Sequence, residues 1–109
     1  MIENLQSLID VERSSSAKIQ LGPGSGSSFD YNVYHNYDEI MQWVTDFASA
    51  NKALVDEVKI GTSTEGRAIK ALRIGSKSSS NPGIYFQGGI HAREWISPAT
   101  MMNLARKVM

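Results

Sequence analysis

The chain has 109 residues, which is enough for one small domain and too few for an extended multi-domain enzyme. Its 11 basic and 11 acidic residues balance, so it lacks the net positive charge that binding to nucleic acids or anionic membranes usually requires, and we expect neither as a partner. The absence of cysteine excludes a disulfide framework, a thiolate nucleophile and a sulfur-ligated metal. Any metal ion must therefore be bound by His, Asp or Glu.

The first residues differ in composition from the rest of the chain. Residues 2–13 are typical of a short amphipathic segment, and their acids and amides interrupt the apolar stretch that a targeting signal needs. Residues 14–28 are rich in Ser, Gly and Pro, a composition typical of a linker. The sequence therefore predicts that the opening segment belongs to a different structural unit from residues 29–109.

A helix is predicted from Asn36 to about Asn51. Asn36 can cap it, and Glu39, three residues further on, completes the pattern of a capping box. Apolar residues then recur at helical spacing: Ile40, Trp43, Val44, Phe47 and Ala48.

Three strands are predicted in the middle of the chain. Residues 55–60 and 68–74 have strand patterns and are separated by a polar turn, which favours an antiparallel hairpin. After a polar loop at 76–83, residues 84–90 form a largely apolar run that suits a strand buried on both faces.

A last helix is predicted after Ser97, which can cap it, with Pro98 at its first position. Four residues are expected on its apolar face: Met101, Leu104, Ala105 and Val108. The order of helix, three strands and helix indicates an α/β fold with a mixed sheet. The helix is unfinished at Met109, so we expect the sequence to be cut short there.

The residues best suited to chemistry lie between the third predicted strand and this helix. His91 and Glu94, three apart on a turn, can offer a nitrogen and a carboxylate oxygen to one Zn²⁺. Gly88 and Gly89 allow another group to approach the backbone there. Alternatively, the two side chains hydrogen-bond to each other or to the turn, and a catalytic zinc needs a third protein ligand in any case.

The surrounding sequence indicates which kind of metal site His91 and Glu94 would form. Residues 85–99, which read YFQGGIHAREWISPA, resemble the zinc-binding segment of the funnelin-type zinc metallocarboxypeptidases, the carboxypeptidase A/B family. Residues 61–69 are similar to the hairpin turn of that family, with its Glu-Gly-Arg, and residues 34–40 look like the opening of its first helix. The three segments occur in the family's order.

The resemblance implies roles for individual residues. His91 and Glu94 become zinc ligands, and Arg93 becomes part of the substrate cleft, where a guanidinium binds peptide carbonyls or carboxylates. For Arg93 a surface salt bridge is the alternative. Trp95 is expected to pack behind the metal turn, and His35 to have a capping or exposed role at a helix entrance rather than to be a third ligand.

The resemblance also implies a domain organisation. Residues 1–13 match the tail of an activation propeptide, 14–28 the connecting segment, and 29–109 the beginning of an incomplete carboxypeptidase-type α/β/α domain, with a partial mixed sheet and flanking helices. Arg13 and Lys18 are plausible cleavage sites for an activating trypsin-like protease. Proteins of this type are secreted, so we expect an extracellular location.

The implied function is hydrolysis of the C-terminal peptide bond of peptides or proteins by zinc-activated water. In the family the third zinc ligand and the general base lie further along the chain, so no residue here is assigned as catalytic, and we expect this chain to be inactive alone. Two alternatives stay open: a truncated, non-catalytic isoform acting as an interaction module, and a zinc amidohydrolase of the same superfamily. The continuation Arg93-Glu94-Trp95 favours the peptidase.

Overall fold

The computed structural model describes residues 4–20, 29–78 and 80–109. Three helices and two strands form in these stretches, which confirms the predicted α/β class. In chain order they are α1 (Leu5–Gln20), α2 (Tyr37–Ala50), β1 (Val55–Thr62), β2 (Ala68–Ile74) and α3 (Ile96–Lys107). The chain divides into two compact units: α2 and the two strands form one, within Asn36–Tyr85, and α1 and α3 belong to the other. No helix in the described stretches has the length and apolar character needed to cross a membrane.

The predicted N-terminal cap of α2 and its end near Asn51 are confirmed. The Asn36 side chain accepts a hydrogen bond from the backbone N–H of Glu39 at 3.0 Å, and the Glu39 carboxylate accepts one from the N–H of Asn36 at 2.9 Å. This reciprocal capping box satisfies two N–H groups that the helix itself leaves unpaired. At the other end, the N–H of Asn51 bonds to carbonyls of the last turn. The buried residues of α2 are Trp43, Val44 and Ala48.

The predicted hairpin is also confirmed. Strands β1 and β2 pair antiparallel, with Val55 opposite Ile74 at one end and Thr62 opposite Ala68 at the other, and one register shift late in β1. One face of the hairpin packs on α2. Val55 is the most deeply buried residue described, at 2% exposure, so the centre of this unit lies between α2 and the start of β1.

The predicted third strand is wrong. Residues 82–89 have no strand structure, and the apolar run is open to solvent, with Ile84 84% exposed and Ile90 66% exposed. An apolar run becomes a buried strand only if neighbouring strands supply hydrogen bonds and other elements cover it. In the described stretches β1 and β2 pair only with each other, so the sheet has two antiparallel strands and is not mixed.

Helix α1 is longer than predicted. It continues past the predicted end of the segment at residue 13 and reaches Gln20, so the first part of the predicted linker is helical. The Ser14 hydroxyl donates to the carbonyl of Asp10 at 2.7 Å, one turn earlier, which accommodates this serine in the helix. Residues 21–28 of the predicted linker lie outside the described residues.

The start of α3 differs from the prediction as well. Ser97 lies inside the first turn, and the cap position is held by Trp95, which has helical backbone angles and no side-chain capping bond. The buried residues of the helix are Met102 and Ala105, whereas Val108, predicted on the apolar face, is exposed. The Ser97 hydroxyl therefore does not cap α3; it bonds instead to the backbone of Gly89 and Glu94.

Candidate metal centre

The structure brings His91 and Glu94 together on one tight turn. The N–H of Glu94 donates to the carbonyl of His91 at 3.0 Å, and this bond closes the turn. Nδ1 of His91 then lies 2.5 Å from Oε1 of Glu94, and the N–H of His91 is 3.4 Å from Oε2 of the same carboxylate. The side chains are 67% and 40% exposed, so both predicted ligands converge at a place that a metal ion can reach.

The donor atoms fit part of a zinc site. An imidazole nitrogen and a carboxylate oxygen are both ordinary zinc ligands, and bound to one tetrahedral ion they lie roughly 3.3 Å apart. Here they share a hydrogen bond at 2.5 Å, which is the alternative arrangement that the sequence left open. Because both side chains are exposed, the separation that zinc requires meets little steric resistance. The described stretches contain no group of three or more potential metal ligands, so His91 and Glu94 stand there as a pair.

The two glycines before His91 let the chain pass close to α3. A Cβ atom on Gly88 would lie 2.9 Å from Cγ of Met101, closer than real Cβ atoms pack, and 3.1 Å from the carbonyl oxygen of Ser97, which is also a tight contact. Gly89 has a φ of +76°, in the left-handed region that favours glycine. The sequence predicted that another group approaches the backbone at these glycines. That group is the first two turns of α3.

Arg93 points into solvent on the same turn. It forms no salt bridge with any residue in the described stretches, so the surface ion pair considered from the sequence is not formed with them. Its guanidinium is accessible to a carboxylate or a peptide carbonyl from outside.

Trp95 packs against the turn from the helix side. Its indole N–H donates to the carbonyl of Ala92 at 2.9 Å, and its ring meets the edge of Tyr34 with the centroids 5.9 Å apart. The side chain is still about half exposed. Trp95 thus has the packing role expected from the sequence, and it stabilises the turn through a direct hydrogen bond to its backbone.

His35 is neither a cap nor a member of the candidate metal centre. Its ring stacks on Phe29 with the centroids 4.0 Å apart, and its Nε2 lies 2.8 Å from the carbonyl oxygen of Asp30. The capping role belongs to Asn36, and His35 joins no cluster of potential ligands in the described part of the chain. Its contacts instead stabilise the segment that leads into α2.

His and Glu are both residue types that catalytic zinc sites use as ligands. Comparison with known proteins specifies the family: the sequence profile of zinc carboxypeptidases matches residues 40–109, well over half of the chain. The chain therefore belongs to the zinc carboxypeptidase family, whose members are metallocarboxypeptidases.

Individual relatives support this assignment. Carboxypeptidase A5 of Macaca fascicularis is 38% identical over 109 residues, covering 100% of this chain and 25% of that protein. Carboxypeptidase A1 of Homo sapiens is 34% identical over 108 residues, covering 99% and 26%. The crystal structure of thrombin activatable fibrinolysis inhibitor (TAFI) superposes with a TM-score of 0.67 at 28% identity, covering 97% of this chain and 26% of that one. The chain thus spans about a quarter of the length of the curated relatives it matches.

Proposed function

We propose that this chain supplies two zinc ligands, His91 and Glu94, and one substrate-binding residue, Arg93, to a metallocarboxypeptidase that removes the C-terminal residue of peptides or proteins. The observation that carries the proposal is the convergence of Nδ1 and Oε1 to 2.5 Å on an exposed turn. That turn lies inside the segment matched by the zinc carboxypeptidase profile.

Each residue has a defined task in this proposal. When bound, zinc supplies Lewis acidity, which polarises the scissile carbonyl and lowers the pKa of a bound water. His91 and Glu94 hold the ion at the end of the Gly88–Gly89 segment. Arg93, next to Glu94 and open to solvent, binds a peptide carbonyl or the terminal carboxylate through the paired N–H groups of its guanidinium. The described residues complete neither the ligand set nor an acid–base pair, so the proposal includes inactivity of the chain by itself.

The proposal extends to activation and location. We assign residues 1–13 to the tail of a propeptide and 14–28 to a connecting segment of a secreted zymogen. Arg13 and Lys18 both lie within α1. A trypsin-like protease binds extended backbone, so cleavage at either residue requires local unwinding of that helix.

Zinc titration tests the ligand assignment, because the chain contains only two histidines, His91 and His35. Following the imidazole nitrogen resonances by NMR, we expect zinc to move those of His91 and to leave those of His35 in place. His91→Ala and Glu94→Ala should each weaken zinc binding by at least about tenfold, whereas the matched control His35→Ala should not.

Two results would contradict the proposal. One is a His91 resonance that does not respond at saturating zinc. The other is a loss of affinity in His35→Ala equal to that in His91→Ala. The expected inactivity of the chain is checked separately, by assaying it on two matched peptides, one with a free and one with a blocked C-terminus. Release of a C-terminal amino acid from the free peptide would contradict that expectation.

A further inference from the structure

Ser97 bonds to the chain on both sides of the metal turn. Its hydroxyl oxygen accepts a hydrogen bond from the N–H of Gly89 at 2.7 Å, two residues before His91. The same hydroxyl donates to the carbonyl of Glu94 at 2.9 Å, and the backbone N–H of Ser97 donates to that carbonyl at 3.0 Å. One side chain therefore connects the segment entering the turn to the residue at its end.

This bridge adds to the backbone bond from Glu94 to His91 and the indole bond from Trp95 to Ala92, which also hold the turn. The side chains of His91 and Glu94 are 67% and 40% exposed, so packing contributes little to their placement. A serine hydroxyl can donate one hydrogen bond and accept two, and here it does both in different directions. The hydroxyl thus restrains the distance between Gly89 and Glu94, together with the backbone bond from Ser97 to Glu94 and the packing of the glycines on α3.

We propose that Ser97 is a positioning residue that keeps His91 and Glu94 convergent, so that the pair is preorganised before an ion arrives. The part that concerns zinc rests on the proposed function, whereas the effect on the turn itself does not. Partners that orient metal ligands without touching the metal commonly change metal affinity by about 10–100-fold, because their loss leaves the ligands free to adopt other directions.

A purely structural role in α3 is the competing explanation, and Thr100 provides the matched control. Its hydroxyl donates to the carbonyl of Ile96 at 2.8 Å within the same helix and bridges to no other segment among the described residues. Replacing Ser97 with alanine raises helix propensity, so α3 is not expected to melt. A change seen in Ser97→Ala and absent from Thr100→Ala therefore belongs to the bridge.

The experiment compares Ser97→Ala, Ser97→Thr and Thr100→Ala in the full chain. Without metal, we expect amide exchange at Gly89 to be about tenfold faster in Ser97→Ala, because its N–H loses its acceptor. The His91 imidazole resonances should move towards those of a Glu94→Ala reference. Zinc affinity, measured by calorimetry, should fall about tenfold. Ser97→Thr, which keeps the hydroxyl, and Thr100→Ala should resemble the original chain, with equal helix content by circular dichroism.

The outcomes separate the two proposals. If Ser97→Ala leaves Gly89 exchange and the His91 resonances unchanged, or if Thr100→Ala changes them equally, the positioning role is refuted. If the original chain binds zinc through His91 and Ser97→Ala binds it as tightly, the positioning role is also refuted and the proposed function stands. If the original chain does not bind zinc at His91, the proposed function fails, and the metal-free measurements still decide whether Ser97 positions the turn.

Discussion

Glu57 connects the hairpin to α2 through a small polar cluster. Its carboxylate lies 2.7 Å from Nζ of Lys70 on the neighbouring strand and accepts a hydrogen bond from the Thr45 hydroxyl at 2.8 Å. The hydrogen bond from Lys70, followed by that from Thr45, lowers the pKa of Glu57 below its usual 4.5, because both favour the charged form. The cluster is partly shielded from water, with the Lys70 and Glu57 side chains 24% and 29% exposed.

Asp56, the preceding residue, points to the opposite face of the hairpin. It forms salt bridges with Lys77, at 2.9 Å, and with Arg73. The hydrogen bond from Lys77, and then that from Arg73, lowers the pKa of Asp56 below its usual 3.8. The cationic partners of Asp56 are more than half exposed, so the pair contributes less to stability than the cluster around Glu57.

These lowered pKa values predict a loss of stability in acid. Both carboxylates bind a proton less readily in the folded state, so their contribution is complete above the unfolded values of 4.5 and 3.8. It is lost as the pH falls from there through the lower folded values. We expect Glu57→Gln to be less stable than the original chain near neutral pH and to lose less of its unfolding free energy between about pH 6 and about pH 3.

Urea unfolding followed by circular dichroism at several pH values measures this difference. Glu65→Gln is the matched control, since it removes a carboxylate whose partner, Arg67, is an exposed neighbour in the hairpin turn. An equal acid-induced loss in Glu57→Gln and in the original chain would show that the cluster makes no pH-dependent contribution.

Among the elements, α2 has the most complete set of local start signals. Asn36 and Glu39 bond reciprocally, and Asp38 adds a negative charge in the first turn, where the helix dipole favours it. These three residues lie within four positions of one another, so the capping signal itself is local.

The cap of α2 should therefore be measurable on its own. We expect Asn36→Ala to cost about 1 kcal/mol of unfolding free energy, because the N–H of Glu39 loses its acceptor. Asn36→Asp keeps an acceptor at the same position and should stay within a few tenths of the original value. Urea titration followed by circular dichroism measures the loss, because fluorescence would combine Trp43 of this unit with Trp95 of the other. Equal midpoints for all three chains would refute the contribution of the cap.

At the scale of the whole molecule, the most unusual feature is the exposed apolar run before the metal turn. Ile84, Tyr85, Phe86 and Ile90 are all more than half exposed, and no strand of the described part pairs with this segment. Exposed apolar side chains next to unpaired backbone groups favour association with other chains.

We accordingly expect the chain to self-associate as its concentration rises. Replacing Ile84 and Ile90 together with lysine should shift sedimentation towards the monomer, since charges on an exposed strand-like segment oppose pairing. Leu5→Lys is the control, because Leu5 is a comparably exposed apolar residue, 62% exposed, on α1. If the control suppresses association as strongly as the double variant, segment 84–90 is not its cause. If the original chain stays monomeric at high concentration, the prediction of self-association is wrong.

Features that depend on residues close to one another in the chain followed from residue type and spacing. The capping box of α2 needs only Asn36 and Glu39, and the hairpin needs two strand patterns and a polar turn. His91 and Glu94 lie three positions apart in one turn, so their proximity follows from their spacing. Such hydrogen bonds form within a few positions, so residue type and spacing are sufficient to predict them. The zinc ligand roles that the family resemblance implies remain predictions.

Features that depend on more distant partners became visible only in the folded chain. Residues 84–90 were predicted as a strand from their apolar character, but a strand needs neighbouring strands, and the described residues supply none to it. Ser97 has the residue type of a cap, yet its hydroxyl bonds to Gly89, eight positions earlier, because Gly88 and Gly89 bring the chain against α3. The paired glycines were the visible signal of that close approach. Which side chain would meet them depends on how the turn and the helix pack, which no local pattern specifies.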